Sequence, residues 1–154
     1  MRKVIYILCL AMFAPAIVNA QGFDFYGAKF GMQKEEVGKI FTFRTEFGYH
    51  QAENPQHNMN SLFFGFDHKN RLYSIETYYG MGGNEEDKAL LLAVKERFED
   101  PIKRSHKDIE IVVDTYSEAW GYGMAKSLVL KIVSKPLKSE YINHLKGEIL
   151  KKMK

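Results

Sequence analysis

Histidine and serine are the side chains that most often carry catalysis, and in this chain they follow no catalytic or metal-binding spacing. The histidines lack the His-x-x-x-His pattern that places two imidazoles on one face of a helix. The serines lack the Gly-x-Ser-x-Gly turn that presents the nucleophile of α/β-hydrolases. We therefore expect no catalytic residue, no metal site and no cofactor, and surface roles for the five histidines: His50, His57, His68, His106 and His144.

Carboxylates leave one enzymatic alternative open. A glycosidase needs only two acidic side chains that flank the scissile bond, and the chain has 19 Asp and Glu residues. Glu76 and Asp114 would form such a pair if their predicted strands faced each other. A small hydrolase of glycan or cell-wall material is therefore the alternative hypothesis, although a solvated or salt-bridging role is the ordinary one for such residues.

Aromatic residues are the more distinctive group. An aromatic sheet face that no helix covers has the composition of a binding site. Because side chains alternate between the two faces of a strand, Tyr78 is expected on the face opposite Tyr73 and Tyr79. Both faces would then carry aromatics, unless helices shield most of them. The candidate binding residues all lie on or near predicted strands: Tyr73, Tyr78, Tyr79, Tyr116, Trp120 and Tyr122.

The elements that position these aromatics follow from hydrophobic periodicity. Helical spacing predicts helices at 33–41, 85–99 and 138–152, with Asn84 able to cap the second helix and Pro101 ending it. Alternation predicts strands at 43–49, 109–116 and 127–133, the first of which precedes a polar loop at 51–60, and residues 116–120 either extend their strand or form another. A hairpin is predicted over 61–79, with Asn70 in its turn taking the left-handed conformation.

This order of elements predicts an α+β fold in one domain. We expect an antiparallel sheet with helices packed on one face, built from two helix-then-strands repeats (α-β-β-β and α-β-β) and followed by a C-terminal helix. The 154 residues of the chain are enough for one such domain.

The first 20 residues have the pattern of a secretory signal peptide. Arg2 and Lys3 precede an uncharged apolar run over 4–18, and we expect cleavage after Ala20, which gives a secreted or periplasmic bacterial protein. A membrane-spanning anchor would need a longer run. Cleavage would also remove Cys9, the only cysteine, and with it any disulfide or thiolate chemistry.

Charge divides the remaining chain into two parts. Residues 21–154 hold 20 basic and 19 acidic groups, a balance that argues against nucleic-acid binding. Residues 21–134 form the predicted α+β domain with a net charge of −3, whereas residues 135–154 hold six lysines and two glutamates. This basic amphipathic C-terminal helix either packs on the domain or is appended to it. Weak contact of 138–154 with an anionic membrane would make the chain a peripheral envelope protein, which is a further alternative.

Three short motifs resemble a known group of domains. Residues 30–37 (FGMQKEEV) are similar to the F-G-M-S-x-x-E-V phrase that opens the first helix of many small secreted bacterial domains, and the similarity continues at 64–67 (FGFD) and 71–73 (RLY). The pattern resembles the SmpA/OmlA outer-membrane assembly lipoproteins and the β-lactamase-inhibitor-protein family. This resemblance implies a non-catalytic domain that binds other proteins through its sheet or loops. We accordingly expect a secreted or periplasmic binding domain, not an enzyme, that recognises a protein or a cell-envelope component.

Overall fold

The computed structural model of the chain describes residues 23–46, 48–55, 59–82, 84–120 and 123–153. Within them, six strands form one antiparallel sheet in the order β1-β2-β3-β4-β6-β5. The strands are β1 (Phe43–Glu46), β2 (Tyr49–Ala52), β3 (Met59–Phe66), β4 (Leu72–Met81), β5 (Ile109–Trp120) and β6 (Gly123–Ser134). The helices are α1 (Lys34–Ile40), α2 (Asn84–Val94), α3 (Asp100–Ser105) and α4 (Lys135–Lys152). The predicted signal peptide and its Cys9 lie outside the described residues.

The predicted α+β class and the antiparallel sheet are confirmed. Four strands, rather than the expected three, follow α1, because the segment predicted as one strand over 43–49 contains a reversal. Gly48 lies in this reversal at φ +83°, a conformation that glycine adopts without the steric cost of a Cβ atom. The predicted loop at 51–60 is correspondingly shorter, since Gln51 and Ala52 belong to β2.

The hairpin predicted over 61–79 is confirmed as β3 and β4. Asn70 takes the expected left-handed conformation at φ 58°. The carboxylate of Asp67 organises the turn from within, because its Oδ1 accepts the backbone N–H groups of Lys69 and Arg71, each at 2.9 Å. Local side-chain chemistry therefore sets the geometry of this turn.

The helical region after β4 does not end at Pro101, contrary to the sequence prediction. It continues from α2 through a π-helical turn, Lys95–Glu99, into α3, where Pro101 lies in the first turn. In an uninterrupted α-helix the proline ring would collide with a carbonyl of the preceding turn. The wider π-turn, in which the N–H of Asp100 donates to the carbonyl of Lys95, accommodates the ring.

The hydrophobic core lies between one face of the sheet and the helices α1, α2 and α3. From the helices come Val37, Phe41, Val94, Phe98 and Ile102, all buried. The sheet contributes alternate residues of its central strands: Leu62, Phe64, Ile75, Leu128, Leu130 and Ile132. We call this face of the sheet the inner face and the opposite one the outer face.

Helix α4 begins at Lys135, three residues before the expected start, with Pro136 in its first turn. Its Lys138 Nζ lies 3.1 Å from Glu110 Oε2. Glu110 alternates with the core residues Ile109 and Ile111, so α4 contacts the outer face. No residue of α4 is buried. Of the helices in the described part of the chain, none is both long enough and apolar enough to span a membrane.

Candidate binding surface

Four aromatic side chains cross the outer face from β2 to β5, and we call them the aromatic row: Tyr49, Phe63, Tyr78 and Tyr116. Each alternates with residues of the inner face; Phe63, for example, lies between buried Leu62 and Phe64. The Phe63 ring packs edge-to-face on Tyr49, with ring centroids 6.5 Å apart, and on Tyr78, at 5.9 Å. Ring contacts therefore join Tyr49, Phe63 and Tyr78, and Tyr116 lies on the same face beyond β6.

The ends of the aromatic row are open to solvent. Tyr49 is 68% exposed and Tyr116 is 50% exposed, and Val112, which Asp114 separates from Tyr116 on the same face of β5, is 44% exposed. Phe63 and Tyr78 between them are half-buried. The most exposed aromatic side chains of the outer face are therefore at the two ends of the row.

Tyr78 is fixed in the row by a polar network. Its hydroxyl donates to Glu76 Oε1 at 2.6 Å, and Lys131 Nζ lies 3.0 Å from Glu76 Oε2. Burial and the bond to Glu76 raise the pKa of Tyr78 to about 12. Burial alone would raise the pKa of Glu76, but the hydrogen bonds from Tyr78 and Lys131 outweigh it and lower that pKa. At neutral pH the phenol is therefore a neutral donor and Glu76 an ionised acceptor.

This geometry contradicts the carboxylate pair expected of Glu76 and Asp114. Their strands do not face each other, because β6 lies between β4 and β5. Glu76 is opposite Lys131 and Asp114 is opposite Val129. These two residues do not form the expected site.

A groove of about 230 Å³ runs between α4 and the outer face. Tyr73 of β4 and Tyr141 of α4 line it, with their ring centroids 5.4 Å apart. A β-bulge where β4 pairs with Gly65 and Phe66 shifts Tyr73 to the outer face. A Cβ at position 65 would lie 2.1 Å from Ser74 Oγ and 3.2 Å from the Tyr73 ring, so a larger residue there would displace these side chains.

Helix α4 is attached to the β3–β4 turn by an ionic cluster. The guanidinium of Arg71 donates to Asp67 Oδ2 from Nε (2.8 Å) and from Nη2 (2.6 Å), and Nη2 also donates to Glu140 Oε2 at 2.7 Å. Lys69 Nζ donates to Glu140 Oε1 at 2.5 Å. The bonds from Lys69 and Arg71 lower the pKa of Glu140 to about 2. The cluster therefore holds the first half of α4 against the sheet at neutral pH.

The prediction of surface histidines holds for His68 and His144, which are both exposed and stack on each other with ring centroids 3.9 Å apart. His50 is half-buried and packs against Phe66 at 5.1 Å, and its pKa is lowered by burial and by the charge of Lys34. His57 lies outside the described residues. No group of three or more His, Cys, Asp or Glu within the described ranges is placed to hold a metal ion.

The six predicted binding residues have different positions. Tyr78 and Tyr116 belong to the aromatic row, and Tyr73 lies in the groove, on the same face as Tyr78 rather than the opposite one. Tyr79 is 5% exposed in the core, so it is not a surface residue. The backbone of Trp120 pairs with Gly123, while its side chain, and all of Tyr122, lie outside the described residues.

Sequence reasoning missed two members of the row, Tyr49 and Phe63. The alternation of Phe63 with Leu62 and Phe64 was a sufficient signal, since it assigns Phe63 to the face of Tyr78. Tyr49 carried no such signal, because the reversal at Gly48 makes it the first residue of a separate strand.

Comparisons of the chain with family models, curated proteins and solved structures give no match. The resemblance to the SmpA/OmlA and β-lactamase-inhibitor-protein families is therefore an expectation from short motifs. The functional argument has to come from the outer face itself.

Proposed function

We propose that this chain is a non-catalytic binding domain that recognises a protein or a cell-envelope component through the aromatic row on the outer face of its sheet. The observation that carries the proposal is the exposure of Tyr49, Tyr116 and Val112 on the sheet face turned away from the core. Aromatic residues are enriched at interfaces because they bury a large area with few rotatable bonds.

The centre of the row is held in place before any partner binds. Its members stand on paired strands, and Tyr78 is fixed by Glu76 and packed against Phe63. When a partner docks on such a surface, few side chains lose conformational freedom, so the entropy cost of binding is small and the affinity is higher for a given buried area. The polar Glu76–Lys131 pair within an apolar row supplies hydrogen-bonding groups that favour one orientation of the partner.

Alanine substitution tests the role of the row. Tyr49 and Tyr116 are replaced together in the tagged protein, which then captures its partner from envelope extract. Truncation of an aromatic hot-spot residue costs about 1–2 kcal/mol or more at an interface, so we expect replacement of both tyrosines to lower the captured partner at least about tenfold. The matched control is Leu92→Ala, because Leu92 is 59% exposed but stands on α2 in the other layer. An equal loss from Leu92→Ala, or none from the tyrosine pair, contradicts the proposal.

We also propose that the protein acts outside the cytosol, because residues 1–20 have the signal-peptide pattern. Intact-mass analysis of the protein recovered from the envelope fraction tests this. The expected species begins at Gln21. A protein that still carries residues 1–20 and is found in the cytosol would overturn the localisation while leaving the binding surface untested by that result.

One observation favours a second candidate, attachment of the chain to an anionic membrane surface through α4. Three apolar residues at helical spacing, Ile142, Leu145 and Ile149, are exposed on this lysine-rich helix. Flotation with vesicles of phosphatidylglycerol and phosphatidylcholine tests it. We expect the wild type and Leu92→Ser to float with the vesicles, and the double variant Ile142→Ser with Ile149→Ser not to float. Equal recovery of the three proteins with the vesicles would exclude membrane attachment through α4.

A further inference from the structure

Strand β5 forms one edge of the sheet along its whole length of 12 residues. Its pairing with β6 is continuous from Ile109 to Trp120, without a bulge, and the strand contains no proline, glycine or lysine. Asp114, Thr115, Tyr116 and Ser117 are all exposed, so neither face of this part of the strand is covered. Natural sheets usually protect a long flat edge with bulges, prolines or charged side chains, because an open edge is a template for another strand. Of these devices β5 has only acidic side chains, at positions 110, 114 and 118.

One hydrogen bond identifies the backbone groups that face outward from β5. The exposed carboxylate of Asp114 accepts the N–H of Thr115 at 2.7 Å, so this N–H is not directed at β6. Backbone groups of a strand alternate in direction with a period of two. The N–H and C=O groups of Ile111, Val113 and Ser117 therefore also point away from β6, as a ladder for an added strand.

Pairing with a second copy of β5 conflicts with the side chains of the outer face. When two copies of β5 pair antiparallel, the register that places Val112 of one copy opposite Tyr116 of the other also places the two Asp114 residues opposite each other. These positions are non-hydrogen-bonded pairs, in which opposing side chains come closest. Two carboxylates there repel each other, so the register that matches the apolar residues is the one that the charges oppose.

We propose that β5 accepts an antiparallel strand from another polypeptide that carries lysine or arginine opposite Asp114 and apolar residues opposite Val112 and Tyr116. The basic side chain draws the Asp114 carboxylate toward itself and releases the N–H of Thr115 to the incoming strand. The proposal rests on the proposed binding function and deepens it, since Val112 and Tyr116 border both surfaces. It specifies backbone pairing at the edge, which the aromatic row does not require.

A synthetic peptide tests the edge without a known partner. The probe is the acetylated, amidated nonapeptide Lys-Thr-Val-Thr-Lys-Thr-Val-Thr-Lys, and the control replaces its lysines with glutamates. Binding to the full chain is measured by fluorescence anisotropy at low salt. We expect saturable binding of the lysine peptide and at least about tenfold weaker binding of the glutamate peptide. Equal affinities, or no binding of the lysine peptide up to about 1 mM, overturn the proposal.

Two further readouts locate the peptide on β5. Amide hydrogen exchange is expected to slow at Ile111, Val113 and Ser117 on binding, but not at Asp114 or Tyr116, whose N–H groups already bond to β6. Ser117→Pro removes an outward N–H and is expected to weaken binding at least about tenfold, with Ser117→Ala as its control.

If Ser117→Pro does not fold, the peptide can be changed instead. N-methyl groups on alternate peptide residues remove the backbone N–H groups that would bond to β5. Protection that does not alternate along β5, or full affinity of the N-methylated probe, would refute strand addition. The two proposals are separated by their assays. Peptide binding reports the edge of β5, whereas partner capture by the tyrosine variants reports the aromatic row, so a failure of one proposal is distinguishable from a failure of the other.

Discussion

Arg71→Met tests how the ionic cluster supports the β3–β4 turn and α4. Arg71 bonds to two carboxylates that differ in exposure: the Asp67 side chain is fully buried, whereas that of Glu140 is 40% exposed. Methionine keeps much of the aliphatic stem and removes the charge. The buried Asp67 then loses both guanidinium bonds and keeps only the two backbone N–H groups of the turn.

The expected cost follows from this difference in burial. Removing one partner of a buried ion pair costs about 3–5 kcal/mol; because two backbone bonds to Asp67 remain, we expect about 2–4 kcal/mol. Glu140→Gln breaks a pair that solvent screens, so we expect about 0.2–1 kcal/mol. The Arg71 guanidinium therefore stabilises the fold much more through its bonds to Asp67 in the turn than through its bond to Glu140 of α4.

The pH dependence of Arg71→Met gives a second expected result. Burial would raise the pKa of Asp67, but the side-chain bond from Arg71 and the backbone bonds outweigh burial and lower it. A carboxyl with a lowered pKa stabilises the fold above its ordinary pKa, and this contribution is lost as pH falls through the lowered value. The difference between wild type and variant should be full at pH 7 and decrease below about pH 4.

Urea denaturation followed by circular dichroism measures both results for wild type, Arg71→Met and Glu140→Gln. The free energies of unfolding are compared at pH 7 and at pH 3. Equal costs for the two variants, or a cost of Arg71→Met that does not change between these pH values, would show that the buried Asp67 carboxylate does not depend on Arg71.

Three other predictions concern the close contact at Gly65 and two ionisable groups. Gly65→Ala should destabilise the protein by about 1–3 kcal/mol, because the added Cβ would overlap Ser74 Oγ. Gly147→Ala should stabilise the protein by about 0.5–1 kcal/mol, because this glycine lies within α4 and has open space around it. Thermal melts in which both variants shift in the same direction would contradict this prediction. Absorbance titration of Tyr78→Phe should show the loss of one of the phenols that ionise near pH 12, because burial and Glu76 raise the pKa of Tyr78. Since this pKa is raised, the contribution of Tyr78 to the stability of the fold is complete below pH 10 and is lost as pH rises toward 12. Carbon-13 NMR should show Glu140 titrating below the ordinary range of a glutamate, because Lys69 and Arg71 stabilise its charged form, and titration at the ordinary value would mean that they do not hold it.

The parts of the fold that depend on local chemistry could be predicted from the sequence. Asn70 and the turn residues around it indicated the β3–β4 hairpin, and alternation indicated β5 and β6. The continuation of the helix through Pro101 could not be predicted, because the π-turn that accommodates the ring depends on how Phe98 and Ile102 pack against the sheet. Local propensity does not report such packing.

The candidate site could be predicted from the sequence where side chains alternate regularly between the two faces of a strand, which we call strand parity. Parity correctly separated Tyr78 from Tyr79. It failed for Tyr73, because a β-bulge reverses parity locally and leaves no clear mark in the sequence. The pairing of Tyr49 with the rest of the row depends on the order of strands in the sheet, which no local pattern encodes.

Site-specific photo-cross-linking in the living cell tests most directly whether the outer face is the binding surface. Benzoylphenylalanine replaces Tyr49, Tyr116 or, as the control, Leu92, which are all exposed in the structure. After irradiation, we expect the variants at 49 and 116 to form an adduct of the same mass and the variant at 92 to form none. Adducts from position 92 alone, or the same adduct from all three positions, would contradict the account.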